Sequence, residues 1–246
     1  MKIEIKTKET FNTFAARRIL SIIEKTVDTK KFCTVALSGG KTPMGIFREM
    51  VAIQSEFDIN WRRVFFFWGD ERMVDSESDN NNAHMAQINL LDHLPIPSFN
   101  IFPFRTDLSV THAAADMEEK LRNHLEVLST NSIDLVLLGL GEDGHTLSLF
   151  PNSYALKVRD QWAYGYLASP TLGERLTLLP EVVNNAEYVL FLVTGANKAA
   201  TVQKVLYSKY DPDVTPAQVI RPITGNLEWI LDEDAGSLVK VNGKKK

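Results

Sequence analysis

The chain has 246 residues, 44% hydrophobic and 24% charged, with a formal net charge of -4, a length that buries one sizeable core and predicts a single α/β domain over residues 1–246. That balance excludes the electrostatic footprint of a nucleic-acid or anionic-lipid binder, so neither partner is expected. A single cysteine, Cys33, excludes an internal disulfide, and with no apolar run of signal-peptide or membrane-spanning length the expected setting is reducing and cytoplasmic.

In chain order, the spacing of Phe11, Phe14, Ala15, Leu20, Ile22, Ile23 and Val27 predicts an amphipathic helix over residues 10–27. Apolar, β-rich runs then recur at residues 32–37, 64–68, 133–138, 162–168 and 188–193. They lack polar alternation, which is the pattern of strands buried on both faces and joined in parallel by helical crossovers. Cys33 falls inside the first run and reads as a small buried hydrophobe. Between the runs, Thr42 is placed as an N-cap with Pro43 at the first helical position. Further helices are expected over residues 109–128 and 196–207, and a loop over 211–216. Lys244, Lys245 and Lys246 read as a solvated terminus. The pattern gives an α/β sandwich with a mainly parallel sheet.

Chemistry gathers where the runs end. Ser38-Gly39-Gly40-Lys41-Thr42 follows one strand and opens a helix, presenting free backbone N–H groups and a positive helix end to an anion such as phosphate. Neither the P-loop nor the dinucleotide-binding glycine spacing is present. A second run, Gly139-Leu140-Gly141-Glu142-Asp143-Gly144-His145-Thr146, puts an imidazole beside two acids at another strand end. His145 can take a proton from water, and Asp143 or Glu142 can orient its ring. A third, Trp68-Gly69-Asp70-Glu71-Arg72, brings Arg72 to the same edge, although Asp70 and Arg72 can equally form a surface pair. Residues 75–82 lack the EF-hand pattern and read as a solvated loop capping the next helix. Arg175 and Lys198 add cations, which with Arg72 and the glycine loop suit a sugar phosphate. Trp162 and Trp229 are assigned to core packing. His84, His93, His112, His124 and His145 show no metal-ligand spacing, and no GxSxG elbow is present, so water activation without a metal is expected.

These motifs, in this order, resemble those of the 6-phosphogluconolactonases: residues 37–43, 68–72, 139–146 continuing through Ser148-Leu149-Phe150-Pro151, and Arg175-Leu176-Thr177-Leu178 followed by Asn184-Asn185-Ala186. Residues 78–86 are similar to a helix start of the same family. Glucosamine-6-phosphate deaminases, related by fold, are similar in the glycine loop and the histidine run. They carry Asn-Glu-Pro where this chain has Leu149-Phe150-Pro151, and Tyr where it has Arg72, which separates the two readings. The resemblance implies a Rossmann-like three-layer sandwich and a cofactor-free enzyme of the oxidative pentose phosphate pathway. In it His145 activates water, Asp143 orients His145, and Arg72 meets the developing charge. Ser38, Gly39, Gly40, Lys41, Thr42, Asp70, Arg175 and Lys198 bind the substrate and its phosphate. The partner is a small sugar-phosphate lactone, and a monomer or weak homo-oligomer is expected. The alternatives are a deaminase or a non-enzymatic sugar-phosphate sensor. The short lead before the first helix argues against an attached DNA-binding segment.

Overall fold

A computed structural model describes residues 1–240; Lys244, Lys245 and Lys246 lie outside the described residues. The chain begins with β1 (Lys2–Lys6), α1 (Lys8–Lys30), β2 (Cys33–Leu37), α2 (Lys41–Ile53), β3 (Val64–Trp68), β4 (Asp70–Arg72) and α3 (Asn82–Asn89). It continues through α4 (Val110–Val127), β5 (Leu135–Leu138), β6 (Ala163–Ser169), β7 (Gly173–Leu178), α5 (Pro180–Asn184), β8 (Tyr188–Val193), α6 (Ala199–Tyr207) and β9 (Leu227–Asp232).

Six strands form a parallel sheet in the order β1-β9-β8-β5-β2-β3. Its centre, β8-β5-β2, consists of three of the apolar runs, because a strand covered by helices on both faces has no solvent side to give polar residues. All five residues of β2 and all four of β5 are buried. The alternation of side chains sorts the layers. Cys33 lies beside Thr26 of α1. From the opposite face, Thr34 Oγ1 sits 3.0 Å from Nε2 of His124 on α4, whose ring also packs on Phe65 and Phe67. Helices therefore cover both sides of the sheet. Trp229 of β9 stacks on Phe191 of β8 with ring centroids 3.9 Å apart.

Several expectations are corrected. The run at 162–168 is not a strand of the main sheet. It contributes β6 to a small antiparallel sheet, β4-β7-β6, where Tyr164 and Tyr166 are partly exposed and Leu167 is 61% exposed. Trp162 does pack against the core, but from its margin: it is partly exposed, and the Arg122 guanidinium lies over its ring at 3.9 Å. Thr42 is not an N-cap: α2 begins two residues earlier than expected, at Lys41 after Gly40. The helix expected over 196–207 starts as a 3-10 turn, Ala196–Lys198, before α6.

From β2 the chain moves outward to β3, then returns to place β5 on the other side of β2. The loops after β2 and β5 thus diverge at a switch in strand order, where open α/β sheets leave a crevice beyond their carboxyl ends.

Candidate active site

That crevice is a cleft of about 430 Å³ bordered by the loops after β2, β5 and β8 and by β4 and the start of α3. It receives Ser38, Gly39, Gly40, Lys41, Thr42, Asp70, Arg72, His145 and Lys198, nine of the residues marked by sequence.

The candidate anion-binding wall is built from α2's first turn. Gly40 holds φ at +98°, a left-handed conformation that favours glycine, and as N-cap it offers no side-chain acceptor. The leading N–H groups of the helix therefore face the cleft without an internal cap, as an anion site requires. Thr42 Oγ1 lies 2.7 Å from Thr194 Oγ1, tying this turn to the end of β8. Next, Gly195 donates its N–H to both oxygens of buried Asp232, at 3.0 and 2.9 Å, which fixes the turn carrying Asn197 and Lys198. Among the described residues, Lys41, Arg72, Arg175 and Lys198 form no ion pair.

The loop after β5 carries the imidazole. His145 Nδ1 is 2.5 Å from Asp143 Oδ1, and the same oxygen accepts the His145 backbone N–H at 3.1 Å. Burial acts to raise the Asp143 carboxyl, but the hydrogen bond and charge of His145 outweigh it and hold it below its ordinary value. Gly141 makes room for this pair: a Cβ there would stand 2.0 Å from His145 Nδ1 and 2.5 Å from Asp143 Oδ1. Phe150 packs beside the imidazole with centroids 4.5 Å apart. Glu142 points elsewhere and accepts Asn197 Nδ2 at 2.7 Å, so of the two acids flanking His145 only Asp143 meets its ring.

The third wall comes from β4. Asp70 and Arg72 do not pair; Asp70 Oδ2 accepts the Ser148 hydroxyl at 2.7 Å, and Arg72 donates to the Asn80 carbonyl at 2.9 Å. Arg175 is directly opposite Arg72 across the β4–β7 ladder, outside the cleft lining and inside a smaller pocket that Arg72 shares. Burial, then the charge of Arg72, pulls the Arg175 guanidinium below its usual range, and its Nε is buried without a hydrogen bond among the described residues. Residues 75–82 do cap the next helix, since Asn81 Oδ1 accepts the His84 N–H at 2.8 Å. Sequence reasoning missed Asn82, Thr194 and Asn197, which also line the cleft. A run of three asparagines at a helix start was the available signal for Asn82.

A family model described as glucosamine-6-phosphate isomerases/6-phosphogluconolactonase matches residues 6–229. The chain belongs to this family. Within it, the chain is 37% identical to a 6-phosphogluconolactonase of Synechocystis sp. over 87% of its own length and 88% of the relative's. A human 6-phosphogluconolactonase is 34% identical over 86% of this chain and 82% of that one. The crystal structure of 6-phosphogluconolactonase from Thermotoga maritima superposes with a TM-score of 0.82 at 27% identity, covering 94% of this chain and 99% of that one. Among the described residues, no three His, Cys, Asp or Glu side chains converge as a metal site would need, and no helix is long and apolar enough to cross a membrane.

Proposed function

We propose that His145 performs the water-activating step by which this chain hydrolyses 6-phospho-D-glucono-1,5-lactone to 6-phosphogluconate, in the oxidative pentose phosphate pathway. The observation that carries this reading is the 2.5 Å contact between His145 Nδ1 and Asp143 Oδ1 at the mouth of an anion-binding cleft. With Nδ1–H donated to the carboxylate, Nε2 keeps a lone pair for water. Water attacks the lactone carbonyl carbon as its proton passes to Nε2, leaving a tetrahedral oxyanion that Arg72 stabilises. Collapse breaks the bond from that carbon to the ring oxygen, and the imidazolium returns the proton to the departing oxygen. Lys41, Lys198 and the turn from Ser38 to Thr42 hold the phosphate, with Arg175 behind Arg72 reinforcing the positive field. Asp70 accepts from a sugar hydroxyl.

This sequence of steps requires no metal or cofactor. Phe150, beside His145, supplies no second carboxyl for the ring opening of an amino sugar. We place the enzyme in the cytoplasm, as a monomer or weak homo-oligomer. The test follows freshly generated lactone with wild type and His145→Ala against the uncatalysed background. Wild type hydrolyses it rapidly, and the variant is slower by about 10² or more. Wild-type hydrolysis no faster than background, or ammonia release from glucosamine 6-phosphate, overturns the assignment.

A further inference from the structure

Glu71 takes part in none of these steps, although it is fully buried beside two residues of the cleft. Its Oε1 accepts the backbone N–H of Arg72 at 2.9 Å and of Asn82 at 2.7 Å, and its Oε2 accepts that of Ala83 at 2.9 Å. One side chain thereby joins β4 to the first turn of α3, satisfying N–H groups that a helix start leaves open.

The consequence reaches the cleft through Asn82. Its Nδ2 donates to the Asp70 carbonyl at 2.9 Å, and its Oδ1 lies 1.8 Å from where a Cβ on Gly39 would sit. The Asn82 amide thus occupies the space left by the missing side chain of Gly39, in the middle of the anion-binding turn. Its Oδ1 accepts no hydrogen bond among the described residues, and Asn82 lines the cleft. An amide oxygen at that position suits a hydroxyl donor and not a phosphate oxygen, which is itself an acceptor.

We propose that Glu71 is a positioning residue acting through Asn82: it fixes α3 against β4 so that Asn82 Oδ1 accepts a hydrogen bond from a hydroxyl of the phosphorylated lactone. This rests on the reading of the cleft given above. A double-mutant cycle tests it, with KM and kcat for the lactone and the Kd of 6-phosphogluconate measured calorimetrically. Glu71→Ala and Asn82→Ala each raise KM and Kd by about tenfold, the worth of one buried polar contact, with a much smaller change in kcat. Glu71→Gln, which keeps one acceptor oxygen, restores part of the loss. The double variant is no worse than Asn82→Ala alone, because the two residues act on one contact. Gly39→Ala, which displaces the Asn82 amide with Glu71 intact, reproduces the rise.

Wild-type KM and Kd in Glu71→Ala, even with a lowered Tm, or additive losses in the double variant, overturn the proposal. Should Glu71→Ala not fold, the decision passes to Asn82→Ala and Gly39→Ala, and wild-type KM and Kd in both overturn it. Failure of the wild type to hydrolyse the lactone removes the lactonase reading first, and is read before any variant.

Discussion

Asp143 Oδ1 meets both the ring Nδ1 and the backbone N–H of His145, so one carboxylate oxygen sets the tautomer and the main-chain position of the same residue. Removing it leaves the imidazole present but unaimed. Asp143→Ala is expected to lower kcat by about 10²-fold with little change in KM, the pattern of an interaction needed only as the reaction proceeds. Steady-state kinetics check this; a rise in KM with unchanged kcat contradicts it.

Gly141 supports the same pair from beneath. A methyl group at this position collides with both the imidazole and the carboxylate. Gly141→Ala should therefore approach Asp143→Ala in its loss of kcat while circular dichroism remains that of the folded protein. Wild-type kcat in this variant would show that the dyad shifts without catalytic cost.

Burial pushes the Glu71 carboxyl from its ordinary 4.5 up to about 7, against the pull of the backbone N–H groups of Asn82, Arg72 and Ala83. A raised value favours the folded state when the carboxyl is protonated, so this contribution is fully present below 4.5 and is lost as pH rises through about 7. The Tm of wild type relative to Glu71→Gln should accordingly fall across that window and level off above it. Scanning calorimetry of both proteins over this range is the measurement, and a flat difference counts against the assignment.

Lys41 and Lys198 line the cleft and have no carboxylate partner among the described residues, so in the proposed reading their charge is available to an incoming phosphate. Raising ionic strength from about 0.01 M to about 0.15 M shortens the Debye length from about 30 Å to about 8 Å and should raise KM with little effect on kcat. Lys198→Ala should raise KM at low salt and flatten that dependence. Initial rates at several salt concentrations decide it.

The strands legible in the sequence were those with no solvent face. The apolar runs of β2, β3, β5 and β8 announce burial on both sides, whereas β1, with Lys2, Glu4 and Lys6 on alternate positions, and β9, with Glu228 and Asp232 among its residues, do not look like members of the same sheet. Tyr164 and Tyr166 gave β6 the composition of a core strand while their rings lie partly exposed. In the site, His145, Asp143 and the glycine turn were legible because their chemistry is carried by neighbours in sequence. Asn82 was not, because its place is set by Glu71 and Gly39, contacts that appear only when β4, α3 and the turn after β2 come together.

The pairing of β1 with β9 joins Lys2 to Glu228 and Lys6 to Asp232. Among the strands, β1 leaves the ribosome first and its sheet partner last. The amino-terminal strand must therefore stay unpaired through synthesis of the rest of the sheet, and such distant pairings are slow to form because loop closure precedes their reward. The alternating charges of Lys2, Glu4 and Lys6 suit that interval, since a waiting strand with charged side chains is a poor template for another chain.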